Sequence, residues 1–342
     1  MIRIALDAMG GDHAPHEEVK AAMKAVNEYN DIQIILYGDP DQILSLISDK
    51  NLLESQRIKI EASSEIITMS DEPVKAIRRK KDSSMVKAAK AVKENQADAI
   101  VSSGNTGALL AAGLLIIGRI KGIDRPGLMA LIPTLKGPRP HFIFMDSGAN
   151  ADSKAINLHQ FAIIANYYAK EILHIEKPRV ALLNNGTEAS KGSSLSKEAY
   201  ALLSQEEMIH FIGNIESKSL LSGQADIVIT DGFTGNAVLK NIEGVATSLI
   251  KHIKEILVDS GLKTKLGALL IKDALKEGLQ ILDTSKAGGA ILLGVKAPVI
   301  KTHGSADSEA IKYAIFQARS VVQGQVISKI TDYYQQESDQ EN

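Results

Sequence analysis

The 342 residues include no cysteine. That excludes disulfides, a thiolate nucleophile and thiolate metal sites, and it suits a reducing, cytoplasmic compartment. Neither sign of charge dominates: 39 Lys and Arg stand against 41 Asp and Glu, for a net charge of −2. Such a balance argues against a nucleic-acid partner. Long apolar runs are also missing. The longest, Ala108 to Gly118, falls far short of the roughly 20 residues that a spanning helix needs. The start, MIRIALDAMGGD, has no basic segment and no cleavage pattern, so it does not read as a signal peptide. A soluble chain, or one peripheral to a membrane, is expected.

What the chain does have is a hydrophobic content of 44% and five glycine-containing turns. These are DAMGGDHAP (Asp7 to Pro15), SSGNTGA (Ser102 to Ala108), DSGAN (Asp146 to Asn150), NNGTEASKG (Asn184 to Gly192) and DGFTGN (Asp231 to Asn236). Each follows a short run rich in Ile and Val, and most lead toward a helical pattern. Strand-like runs fall at Arg3–Asp7, Ile32–Tyr37, Arg57–Ala62, Ala99–Ser102, Gly127–Ile132, His141–Met145, Arg179–Leu183, Met208–Gly213 and Ile227–Thr230. The alternation predicts a single α/β domain over 1–342, with a largely parallel sheet and helices on both faces. In such a sheet the turns collect on one edge, where helix amides point outward at an anion. Residues 244–283 hold two helical patterns in succession with no strand between them, which predicts an inserted helical hairpin standing off the sheet.

The turns admit two readings. Gly10 and Gly11 allow close approach of a ligand to backbone amides, and Asp7, Asp12 and His13 add polar groups. The same aspartates would equally serve as turn caps. One His with two Asp at this spacing is poor support for a metal, so none is expected. Gly104, Asn105, Thr106, Thr234, Gly235 and Asn236 offer small donors suited to phosphate or carbonyl oxygens, or ordinary helix caps. Asp146, Asn150 and Asp231 belong to the same group of candidate phosphate and substrate contacts. The spacing matches neither the P-loop nor the dinucleotide fingerprint, so no nucleotide cofactor is expected. Lys191 is a candidate countercharge for phosphate. His303, in KTHGSAD, suits oxyanion or proton-transfer work, or a structural role. The run Arg78, Arg79, Lys80 and Lys81 is either a solvated helix face or a docking site for an acidic protein.

Taken in order, DAMGGDHAP, RRKKDSSM, SSGNTGA, DSGAN, DGFTGN, GGAILLG and HGSAD resemble the bacterial phosphate acyltransferases of phospholipid synthesis, the PlsX family. The resemblance runs from Met1 to about Gln323. Family members often read Asn-Ile-Gly-Glu-Glu where this chain has Asn184, Asn185, Gly186, Thr187 and Glu188, while Glu188, Lys191 and Gly192 match. The resemblance implies a fold like phosphate acetyltransferase and the isocitrate/isopropylmalate dehydrogenases. It implies transfer of an acyl group from acyl-acyl carrier protein to inorganic phosphate. The acyl phosphate then feeds a membrane glycerol-3-phosphate acyltransferase. It also implies a homodimer at the inner membrane face. Catalytic candidates are His13, His303 and Lys191, with docking of acyl carrier protein at Arg78 to Lys81. Within the hairpin, Leu262, Leu266, Leu269 and Leu270 share one face bordered by lysines. That face suits either an anionic membrane surface or a partner subunit. Three other readings stay open: a metal-dependent hydroxyacid dehydrogenase of the same fold, which would need several convergent carboxylates, a phosphate acetyltransferase-type enzyme using acyl-CoA, and a non-catalytic membrane-associated scaffold.

Overall fold

The structure is a computed structural model that describes residues 1–259, 267, 271 and 288–340. Eleven strands form one sheet in the order β3-β2-β1-β4-β11-β10-β5-β6-β9-β7-β8. They are β1 (Ile2–Asp7), β2 (Ile32–Gly38), β3 (Ile58–Ala62), β4 (Ala99–Ser102), β5 (Gly127–Pro133), β6 (His141–Met145), β7 (Arg179–Asn184), β8 (His210–Glu216), β9 (Ile227–Ile229), β10 (Ala290–Leu293) and β11 (Val299–Lys301). The helices are α1 (His16–Glu28), α2 (Pro40–Leu46), α3 (Asn51–Glu54), α4 (Pro73–Arg79), α5 (Ser84–Lys93), α6 (Thr106–Ala112), α7 (Ala155–Glu171), α8 (Ser194–Gln205), α9 (Gly232–Asp259), α10 (Ser308–Gln323) and α11 (Val326–Gln340).

Two parallel wings flank an antiparallel centre. Strands β3, β2, β1, β4 and β11 run together, as do β6, β9, β7 and β8. Between the wings, β10 opposes both β11 and β5, and β5 opposes β6. Three reversals set the second wing against the first. The strands of the two wings therefore end at opposite edges, which corrects the expectation of one edge for all the glycine turns. The reason lies in the connections. β5 and β6 form a hairpin, and β10 turns straight into β11, so neither pair is joined by the helical crossover that a parallel pair requires.

Each wing opens with the same device. The Arg3 guanidinium forks onto Asp98 at 2.7 Å, and the Arg3 amide donates to the same carboxylate. Arg179 repeats this on Asp226 at 2.9 Å, again with its own amide donating. In both cases the Asp immediately precedes the neighbouring parallel strand, so each fork fixes the register of two strands where they begin. Burial follows the layer plan. Ile4, Leu6, Ile34 and Leu36 pack on one face with α1, α7 and α10, while Ala5, Ile35 and Ile100 pack on the other with α5 and α6. Central strands buried on both faces explain why the runs read as continuously apolar.

Candidate active site

Strands β1, β4 and β11 end level. Asp7 lies in register with Ser102, and Ser102 with Lys301. Three polar residues therefore stand side by side at the end of a buried apolar row. The Asp7 carboxylate accepts the Ser84 hydroxyl at 2.5 Å, the Ser102 hydroxyl at 2.7 Å and the Met9 amide at 3.3 Å. Burial pushes its pKa up, and the two serines, the Met9 amide and Lys301 act against that shift. Lys301 is itself only 8% exposed. Its ammonium donates to the carbonyl of Ser103 at 3.3 Å and to that of Thr302. Burial lowers the Lys301 pKa to about 8, with the charges of Asp7 and Asp12 opposing the shift.

A cavity of about 460 Å³ opens above Lys301. Its polar wall includes Thr106, Ser147, Asn236, Lys301, Thr302 and His303, and its apolar wall includes Leu128, Ala130 and Leu239. Residues from the turns SSGNTGA, DSGAN, DGFTGN and KTHGSAD thus meet in one place, despite leaving the sheet at opposite edges. They meet because the first turns of α9 lie against the short antiparallel centre. Gly232 and Gly235 make this approach possible: a Cβ at Gly232 would fall 2.7 Å from Asp146 Oδ2, and one at Gly235 would overlap the Asp146 carbonyl.

Several residues expected to touch substrate are turned toward the backbone. Asp146 is fully buried and accepts from the amides of Leu128, Gly148, Ala149 and Asn150 and from the Asn150 side chain, at 2.8–3.0 Å. Asn150 donates onward to the Pro126 carbonyl at 2.8 Å. Asp231 accepts from the Thr234 amide at 2.9 Å at the start of α9. Asn105 caps α6 through the Ala108 amide and donates to the carbonyls of Thr68, Met69 and Asp71. Thr106 follows it, exposed at the first position of α6 and facing the cavity.

The DAMGGDHAP turn backs the cavity. Gly10 packs on Asp7 and Gly104, Gly11 on Glu18 and Ser103, and the Asp12 amide donates to the Gly304 carbonyl at 2.8 Å. His13 is exposed and is not part of the cavity wall. His303 is part of it, with Nε2 3.7 Å from Glu243 of α9. Lys191 lies apart: it is exposed in the loop after β7, its amide bonded to the Glu188 carbonyl and its carbonyl to Asn184. Of the basic run, Arg78, Arg79 and Lys81 are exposed, whereas Lys80 is tied to Asp71 at 2.6 Å and to the Ile66 carbonyl at 2.8 Å. Leu262, Leu266, Leu269 and Leu270 lie outside the described residues. Among the described residues no cluster of His, Asp and Glu is placed to hold a metal ion.

The sequence matches the profile of the family described as fatty acid synthesis protein over residues 2–329. The chain belongs to this family. It is 53% identical over 334 residues to the phosphate acyltransferase of Pediococcus pentosaceus, covering 98% of this chain and 95% of that one. It is also 53% identical over 339 residues to the phosphate acyltransferase of Streptococcus uberis, covering 99% of each. Among solved structures, a phosphotransacetylase from Streptococcus pyogenes superposes with a TM-score of 0.60 at 18% identity, over 96% of this chain and 94% of that one. A branched-chain phosphotransacylase from Enterococcus faecalis gives 0.58 at 18% identity, over 94% and 99%. These two likenesses establish the α/β phosphate acetyltransferase-like fold.

Lys301 escaped the reading of this family member's sequence. A lysine after the apolar run APVI reads as the solvated end of a strand. The usable signal was its position. It closes a run buried on both sides, directly before the THGSAD turn, so its charge must lie within the site.

Proposed function

We propose that this cavity transfers a fatty acyl group from acyl-acyl carrier protein to inorganic phosphate, giving an acyl phosphate for phospholipid synthesis. The observation that carries the reading is one cavity where four small polar turns surround a buried lysine and share a wall with apolar side chains. Phosphate suits the polar side, between Thr106, Asn236 and Lys301. The acyl carbon suits the boundary with Leu128, Ala130 and Leu239. Family membership and the phosphate acyltransferases at 53% identity support the same reading.

A phosphate oxygen attacks the thioester carbonyl carbon. The new C–O bond forms, the carbonyl becomes a tetrahedral oxyanion, and collapse breaks the C–S bond. Phosphate is partly dianionic near neutral pH, so the enzyme's contribution is placement rather than deprotonation. Fixed donors at the cavity stabilise the oxyanion. The thiolate leaves readily, and His303, exposed at the cavity wall, is placed to return a proton to it.

The family resemblance supports three further proposals: a homodimer, delivery of acyl phosphate to a membrane glycerol-3-phosphate acyltransferase, and contact with an anionic membrane through the segment that contains Leu262 to Leu270. Val245, Leu249 and Ile256 lie exposed along the outer part of α9, so that arm already presents apolar side chains. Among the described residues no helix is long and apolar enough to cross a membrane.

The decisive assay incubates the purified protein with long-chain acyl-acyl carrier protein, with and without phosphate. Phosphate-dependent acyl phosphate is expected. Thioester loss without acyl phosphate would sink the reading. Activity with acyl-CoA but not with the carrier protein would redirect it to an acetyltransferase-type enzyme.

A further inference from the structure

Helix α9 presents one stripe of side chains to the active-site cavity. Asn236, Leu239, Lys240 and Glu243 all line it. Their spacing is that of a single helix face. Asn236 and Lys240 are four residues apart, so they are neighbours on that face, about 6 Å apart along the axis. Burial falls along the stripe: Asn236 is half-buried, whereas Lys240 is exposed at the rim.

Lys240 differs from the other charged groups of this wall in having no partner. Among the described residues its ammonium makes no hydrogen bond and no ion pair. The rest are engaged. Glu243 lies 3.7 Å from His303. Asp307 caps α10, its Oδ1 accepting the Ala310 amide at 2.9 Å. Lys301 donates to the carbonyls of Ser103 and Thr302, and the charges of Asp7 and Asp12 act on it. Without Lys240 the lining would set one lysine, already offset from behind, against the carboxylates of Glu243 and Asp307. Such a wall would repel a dianion.

We propose that Lys240 is a second phosphate-binding residue, closing over inorganic phosphate from the rim while Lys301 holds it from the floor. This rests on the acyl-transfer reading of the cavity. The flexible four-carbon stem lets an exposed ammonium swing inward past Asn236, and a point charge suits a phosphate oxygen. The two lysines come from different wings of the sheet, Lys301 on β11 and Lys240 on the helix that follows β9, so a bound phosphate ties the wings together. The phosphate of the thioester donor is the rival occupant. It lies at the far end of the thiol arm, beyond two amides, whereas Lys240 borders the same cavity as Thr106 and Lys301. That placement favours the attacking phosphate.

The test uses the full chain with Lys240→Gln, which removes the charge, and Lys240→Arg, which keeps it. Lys240 is exposed and unpaired, so thermal unfolding of both variants should match the parent. Calorimetric titration with inorganic phosphate reads binding without turnover. Lys240→Gln should weaken phosphate binding about tenfold, the loss expected for one charge-assisted contact, and Lys240→Arg should recover most of it. In the acyl phosphate assay, Lys240→Gln should raise KM for phosphate by a similar factor. KM for acyl-phosphopantetheine and for acyl-pantetheine should not move. Unchanged phosphate affinity in Lys240→Gln would overturn the proposal. A KM that rises only for acyl-phosphopantetheine would overturn it too, by assigning Lys240 to the phosphate of the donor. Phosphate binding without any acyl phosphate would instead count against the acyl-transfer reading, and the titration would still judge Lys240. A parent protein that binds no phosphate would overturn both.

Discussion

Gly10 sits so close to Asp7 that a Cβ on it would fall 2.5 Å from the Asp7 Oδ2 atom, and 2.8 Å from the Gly104 amide nitrogen. Neither neighbour is free to retreat, because Asp7 is held by two serine hydroxyls and Gly104 by the Ser102 hydroxyl at 3.0 Å. Gly10→Ala should therefore cost about 1–3 kcal/mol, as overpacking does, and should lower activity. Gly244, on the exposed part of α9, has open space around it: a Cβ there would meet nothing within 4 Å. Gly244→Ala should gain about 0.5–1 kcal/mol from helix propensity alone. Urea denaturation of the two variants checks both signs.

Lys301→Met should raise KM for phosphate by at least about tenfold, the loss of one charge-assisted contact, with a smaller change in KM for the acyl donor. Lys301→Arg should recover part of it. With its pKa at about 8, the ammonium is charged below that pH and neutral above it, so phosphate KM should climb on the alkaline side. The stability trend has the opposite sense. The unfolded chain keeps this proton to about 10.5, so between pH 8 and 10.5 it binds more protons than the folded form and stability rises with pH. A phosphate KM that stays flat from pH 7 to 9.5 would remove Lys301 from the anion site.

Glu18, in the first turn of α1, is 1% exposed, and its Oε2 has no hydrogen-bond partner. Burial, reinforced by the charge of Asp7, pushes its pKa up to about 7 from 4.5. Here the folded form holds the proton longer than the unfolded chain, so stability falls as pH rises from 4.5 to 7. Glu18→Gln should flatten that slope and stabilise the protein at pH 8 by about 3 kcal/mol at most. Thermal unfolding from pH 5 to 8 reads the difference directly. An unchanged slope would mean that Glu18 is already charged in the fold.

If the basic run docks an acidic carrier protein, as proposed, the work falls to Arg78, Arg79 and Lys81, since Lys80 is paired with Asp71. Reversing any two of the three should raise KM for acyl carrier protein at low salt and leave acyl-CoA untouched. Lys80→Glu should act differently, loosening the 66–71 loop and lowering thermal stability. Equal effects on both donors would move the carrier-protein surface elsewhere.

The strands were legible because Ile and Val runs bounded by glycine turns carry their own punctuation, and the nine runs read from β1 to β9 correspond to strands. Their order was not. Nothing local tells β11 to enter between β4 and β10, or β5 to pair with β6 as a hairpin in the middle of an α/β sheet. Polar turn residues posed a related difficulty. Asp146 and Asn105 look like ligands in sequence, yet each spends its hydrogen bonds on nearby backbone, which is what short polar side chains at strand ends do most readily. The repeated Arg–Asp fork of Arg3 with Asp98 and Arg179 with Asp226 is equally silent in the sequence. It depends on pairing across residues far apart in the chain.

The position of β11 sets the order in which the molecule can become complete. Residues 299–301 lie near the end of the chain, yet they pair with β4, some two hundred positions earlier, and through β10 with β5. Until that strand arrives, the two wings have no shared centre, β4 and β5 each present an open edge, and Lys301 is not yet beside Asp7. A chain emerging from synthesis would carry both wings with unpaired edges until its final stretch is made. Such non-local closure is intrinsically slow and exposes the edges to self-association in the meantime. Loss of the last fifty residues should consequently yield an aggregating chain rather than a weaker enzyme.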